Sequence, residues 1–243
     1  MNPVKQIKFF LLLLILHGCA GIPKVHISEL ALPTNGKVDM PDTPPDSGAI
    51  SELINRMAGA RFGDPIFNKN STAIWMIPEI YKLDLDKTAV SSNFSPEEYQ
   101  RRYAKLVELH EQYLVFFLDL KMPLNPDITK DQLIEFLKQN LIITLENGTT
   151  QKYKPERIIF RSLPRFEQKE IQELLKGARK IEVSTPMRIL FRKSEDGNPI
   201  ISSKTKKLVL KLQLKSPPPF KIGYFDERLF MGFMWKIDRS KLK

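Results

Sequence analysis

The chain has 243 residues, with 38 Lys+Arg against 28 Asp+Glu, three His and one Cys. Its 42% apolar and 27% charged residues exclude a wholly disordered, collagenous or polytopic membrane chain. A single Cys excludes an intrachain disulfide and any cysteine-clustered zinc or iron–sulfur site.

Residues 1–8 carry Lys5 and Lys8 and no acid, and Phe9–Leu16 is an unbroken apolar run. A mature membrane-spanning helix needs about 20 apolar residues, so this run is too short to be one. A basic start, a short apolar core and then small residues describe a secretory signal. The next residues are Leu16-His17-Gly18-Cys19, followed by Ala20. This stretch resembles the lipobox of bacterial lipoprotein precursors, with His17 in place of the usual small residue. The resemblance implies cleavage after Gly18, thioether-linked diacylglycerol on Cys19 and often a further acyl chain such as palmitate. Only a thiolate is nucleophilic enough for that transfer at modest pH. Ala20, by analogy with enteric bacteria, points to the outer membrane of the cell envelope.

Residues 22–48 hold five prolines and no aromatic residue. Such a stretch buries too little surface to offset its ordering entropy and reads as a tether. Ala49–Phe62 fits a short helix with Ile50, Leu53, Ile54 and Met57 on one face. The expected organisation is a signal peptide over 1–18, a lipidated N-terminus and tether over 19–70, and a β-rich globular domain over 71–243.

Within that domain, Thr72–Asp86 reads as two short strands interrupted by Pro78. Ser95-Pro96-Glu97-Glu98 is a helix start, and Tyr99, Tyr103, Leu106, His110 and Tyr113 then follow on one helical face. Tyr113–Leu120 reads as a buried strand. A helix over Ile128–Asn140 has Thr129 as N-cap and Leu133, Ile134 and Leu137 inward. Leu141–Glu146 meets Asn147-Gly148, a hairpin signal, with returning strands at Thr149–Tyr153 and Arg157–Arg161. Glu167–Lys176 reads as helix. Lys180–Lys193, interrupted by Pro186, and Lys206–Lys215 read as strands joined across Glu195–Pro199. Phe220–Phe225 and Leu229–Ile237 complete the β segments. Many short strands between turn residues predict a mainly β fold, an antiparallel sandwich with two or three connecting helices. An immunoglobulin-like topology is among the arrangements this pattern admits.

Basic charge is concentrated at one end: residues 204–243 hold 11 Lys+Arg against 3 Asp+Glu. In Lys206–Lys215, Leu208, Leu210, Leu212 and Leu214 point one way, and Val209, Lys211, Gln213 and Lys215 the other. Such a basic face can guard a sheet edge against aggregation. As a functional surface, Lys206, Lys207, Lys211 and Lys215 would attract phospholipid headgroups, lipopolysaccharide phosphates or an acidic envelope protein. Nucleic acid does not fit an extracytoplasmic address. The aromatics Phe220, Tyr224, Phe225, Phe230, Phe233 and Trp235 suit the packing of a terminal hairpin better than base stacking.

Catalytic constellations are scarce. Once residues 1–18 are removed only His26 and His110 remain, too few for a three-histidine zinc site, and there is no His-Glu-x-x-His or Gly-x-Ser-x-Gly motif. His26 falls in the tether and His110 on a packed helix face. Carboxylates could serve an envelope hydrolase. Asp84 and Asp86 would share one face of a strand end, Glu97 and Glu98 belong to a helix cap, and Asp226 and Glu227 to a turn. Asp196-Gly197-Asn198 is a turn without calcium-loop spacing. The sequence therefore predicts a lipid-anchored, non-enzymatic binding or scaffolding protein without a cofactor or metal. A carboxylate-pair hydrolase and a carrier of an apolar ligand are the alternatives.

Overall fold

A computed structural model describes residues 21–31, 38–63, 70–124, 129–161, 181–215 and 230–240. Cys19, the helix read at Glu167–Lys176, the strand read at Phe220–Phe225, and Asp226 and Glu227 lie outside the described residues. In chain order the elements are β1 (Lys24–His26), α1 (Ser47–Arg56), β2 (Ala60–Gly63), β3 (Thr72–Trp75), α2 (Pro78–Ser91), α3 (Pro96–Gln112) and β4 (Tyr113–Leu124). There follow α4 (Lys130–Asn140), β5 (Leu141–Glu146), β6 (Lys152–Tyr153), β7 (Arg157–Phe160), β8 (Ile181–Arg192), β9 (Ser194–Glu195), β10 (Asn198–Pro199), β11 (Lys207–Leu214) and β12 (Phe230–Asp238). The fold is mixed α/β, with helix and strand in comparable shares, where the sequence had suggested a mainly β chain.

A six-stranded sheet runs β1-β12-β11-β5-β6, and β2 also pairs with β12. Its pairings are antiparallel except for β1 with β12, which is parallel. One edge of β12 is shared: Met231–Met234 face β2, and Lys236–Asp238 face β1. A second, four-stranded antiparallel sheet runs β3-β4-β8-β7.

The two sheets contribute to one apolar core. Trp75 of β3, Phe116 of β4 and Trp235 of β12 meet there with ring centroids 5.2–6.2 Å apart. All three rings are buried. The Met57 carbonyl joins the sheets again: it accepts the Trp75 backbone N–H at 3.1 Å and the Trp235 indole N–H at 2.8 Å. Gly59 must be glycine for the same reason, because a Cβ there would sit 2.6 Å from the Trp235 ring.

Several elements form as their local chemistry dictates. Ser95 caps α3 by accepting the Glu98 N–H at 3.2 Å, Pro96 fills the first position, and Tyr99, Tyr103, Leu106 and His110 are buried. Thr129 and Gln132 form a reciprocal capping box on α4, which buries Leu133 and Leu137. Asp196 and Gly197 take φ of 50° and 77°, the left-handed pair that a tight hairpin between β9 and β10 requires.

Five expectations are corrected. Residues 22–48 are not wholly a tether, because Val25 is fully buried in β1 and Lys24–His26 pair with Lys236–Asp238. The helix expected over Ala49–Phe62 is shorter and shifted; Asp46 caps it at Ser47, it ends at Arg56, and Ala60–Gly63 is strand. Pro78 starts a helix instead of interrupting strands, since its fixed φ and missing N–H suit a first helical turn. Pro186 lies inside the continuous strand β8. Its carbonyl accepts the Arg161 N–H at 2.9 Å, just past the end of β7, so its missing N–H faces a position beyond the last residue of that strand. The strands β8 and β11 belong to different sheets and do not form a hairpin across Glu195–Pro199.

Candidate functional site

On β11 the apolar face read from the sequence holds, with Leu208, Leu210, Leu212 and Leu214 buried and Lys207 and Gln213 exposed, but Val209, expected outward with the lysines, is buried as well. β12 alternates likewise, with Met231, Phe233 and Trp235 inward and Lys236 exposed. Yet β11 is not a sheet edge. It lies between β12 and β5, so its lysines guard no open strand.

Register brings the outer-face lysines together. Lys236 on β12 is the direct partner of Lys24 on β1 and of Lys207 on β11. Three ammonium groups therefore stand side by side across three adjacent strands. Like charges placed directly opposite one another destabilise a sheet by roughly 0.2–1 kcal/mol per pair. Among the described residues none of the three has an acidic partner within ion-pair distance.

These side chains, with Lys206, Met234, Ile237 and Asp238, line an open recess of about 460 Å³. Its framework is fixed by backbone bonds: the Lys236 N–H donates to the Pro23 carbonyl at 2.8 Å, and the Ile237 N–H to the Lys206 carbonyl at 2.9 Å. Asp238 is the one carboxylate in the lining. It accepts the Ser240 N–H at 2.9 Å and stands 3.7 Å from the His26 imidazole. Hydrogen bonds from Ser240, then the charges of His26 and Lys24, hold its carboxyl below the usual range. This acid is engaged at one end of the row and leaves most of the positive field uncompensated.

Of the four lysines singled out in the sequence, the fold brings only Lys206 and Lys207 into the recess. Lys211 is paired with Glu146 of β5 at 2.8 Å. Lys215 donates to the Gln139 carbonyl at the end of α4, 3.3 Å away. The sequence missed Lys24, hidden in a proline-rich stretch, and Lys236, hidden among aromatics. The alternation Lys24-Val25-His26 is the only local trace of β1, and it is too short to identify a strand.

The carboxylates expected to pair do not. Asp84 and Asp86 lie two residues apart on α2, where neighbouring side chains diverge; Asp84 is exposed and Asp86 buried. The Asp86 carboxylate accepts the Tyr99 hydroxyl at 2.6 Å and the Lys82 ammonium at 2.7 Å, an internal network that joins α2 to α3. Burial, reinforced by that carboxylate, pushes the Tyr99 hydroxyl well above the ordinary phenol range. Glu98 lies in the first turn of α3, where the sequence placed it, but its carboxylate pairs with Arg101 and Arg102.

His110 packs against the Tyr81 ring at 5.1 Å. Burial, then the nearby charges of Lys193 and Arg188, push its pKa down to about 4. It is a neutral packed residue at pH 7. His26 is not unoriented as its tether assignment implied, because β1 fixes its backbone and its N–H donates to Glu29 at 2.8 Å. Phe233 and Trp235 are core residues, while Phe230 is exposed.

Among the described residues no group of three His, Cys, Asp or Glu could hold a metal ion, and no helix is long and apolar enough to cross a membrane. Comparison with protein-family models, curated proteins and solved structures finds no match to this chain.

Proposed function

We propose that this chain is a lipid-anchored protein of the bacterial cell envelope, probing anionic groups through a binding domain rather than catalysing a reaction. Cys19 carries the lipid, in the outer membrane by the analogy drawn from Ala20, and the two sheets pack as a sandwich that presents the basic recess. The observation that carries the binding role is the Lys24–Lys236–Lys207 row. Three unpaired like charges held in register are unfavourable without a counter-anion and become favourable with one. A recess of this size suits a phosphate-bearing headgroup or an acidic side-chain cluster of a partner.

The apolar-carrier reading has less support, since Trp75, Phe116, Phe191 and Trp235 fill the space between the sheets. The hydrolase reading loses the carboxylate pair at Asp84 and Asp86.

Two measurements test the proposal. Intact mass of the native protein should lack residues 1–18 and carry the added mass of a diacylglyceryl group on Cys19. Glycerol phosphate titrated into the protein should shift Lys24, Lys207 and Lys236 resonances, and Lys236→Gln should weaken that binding severalfold. An unmodified Cys19 with the leader attached would refute the anchor. A lysine row indifferent to the phosphate would refute the recess.

A further inference from the structure

The anchor and the basic row are closer than a tether of fifty residues would place them. β1 begins at Lys24, five residues after Cys19. Whatever its conformation, that segment spans at most about 18 Å at 3.6 Å per residue. Lys24 is itself the first member of the row, with Lys236 and Lys207 beside it. Resting on the lipid-anchor reading, we infer that the outer face of the six-stranded sheet docks on the anionic phospholipid leaflet that carries the anchor. The domain is then clamped to its own membrane and does not reach across to a distant one.

Two properties of the face favour a bilayer over a soluble phosphate. The first is charge: lysines at a membrane surface are drawn to anionic headgroups within a Debye length, about 8 Å at physiological salt. The second is apolar exposure on the same face. Gln213 has Phe230 and Ile142 as its partners on either side, and these two side chains are 42% and 36% exposed. The Phe62 ring lies over Gly232 on that face, with its centroid 6.2 Å from that of Phe230. Phe230 and Ile142 lie six residues along β11 from Lys207, so the face carries charge at one end and apolar groups at the other, a combination that matches the boundary between headgroups and acyl chains. A small anion would use the lysines alone.

The native lipidated protein, placed in vesicles, tests this by amine-labelling footprinting. Vesicles of phosphatidylcholine alone are compared with vesicles also containing phosphatidylglycerol, and Lys105, exposed on α3, serves as internal reference. Labelling of Lys24, Lys207 and Lys236 should slow severalfold relative to Lys105 only on the anionic vesicles. That protection should vanish at 1 M salt, where the Debye length falls to about 3 Å. A K207Q/K236Q variant with unchanged circular dichroism should lose the protection at Lys24. Equal labelling on both membranes, with lipid on Cys19 verified by intact mass, overturns the docking and leaves the anchor standing. Absence of that lipid overturns the anchor, and the docking with it. Equal protection of the row by inorganic phosphate in the absence of anionic lipid overturns the bilayer as ligand.

Discussion

Adjacent residues of β12 occupy opposite environments. Trp235 is buried between the two sheets, with its indole N–H bonded to Met57, while Lys236 stands exposed between two other lysines. The inner face maximises contact, and its cost for change is cavity formation. The outer face accumulates like charge, and its cost for change depends on salt. The difference teaches that one strand can hold the fold on one side and leave the other side free for recognition, because side chains alternate with a period of two.

The inner face should break most readily. Trp235→Ala removes a fully buried ring and leaves a void between the sheets, so urea denaturation should report a loss of about 4 kcal/mol. A loss below about 1 kcal/mol would mean that the sheets are not joined through this residue.

Burial outside the sheets should behave as the inner face does. The folded state holds the His110 pKa near 4, against an ordinary value of 6.5. The unfolded chain therefore takes up the proton first, and this contribution, complete above about pH 6.5, is lost as pH falls toward 4. Urea midpoints should show the protein about 2 kcal/mol less stable at pH 5 than at pH 7 from this group alone. His110→Gln should flatten the dependence; an unchanged slope would place its origin elsewhere.

The smallest effect belongs to the outer face. K207Q/K236Q removes like-charge neighbours and should raise stability by about 0.5 kcal/mol in low salt, a gain that fades in high salt. Thermal unfolding at two ionic strengths checks it. A marked loss of stability would show that these lysines hold the fold together and are not spare for a ligand.

How much of this was legible varies with the range of the interaction. The cap and buried face of α3, the capping box of α4 and the alternation of β11 depend on residues within a few positions, and the sequence displays them. α2 was misread because Tyr81-Lys82-Leu83-Asp84-Leu85-Asp86 alternates polar and apolar like a strand. What makes it helical is Pro78 at its start and the bond from Tyr99 to Asp86, supplied by the next helix. Asn147-Gly148 does mark a chain reversal, but the loop runs over 147–151 instead of closing in two residues. Asn147 is buried there and donates to the Tyr153 hydroxyl at 3.1 Å and the Ile200 carbonyl at 2.9 Å. The basic row itself was invisible locally, because Lys24, Lys207 and Lys236 become neighbours only through register.

The pairing of β1 with β12 has a consequence for assembly. β1 lies against β12, the last of the described strands, so this sheet edge cannot be completed until Lys236–Asp238 have been synthesised. Closing so long a loop is slow relative to local helix formation. Until it closes, the flank of β12 offers unpaired amides to any passing strand. A factor that shields nascent chains would have its greatest effect on that edge, and loss of Lys24–His26 would reopen it permanently.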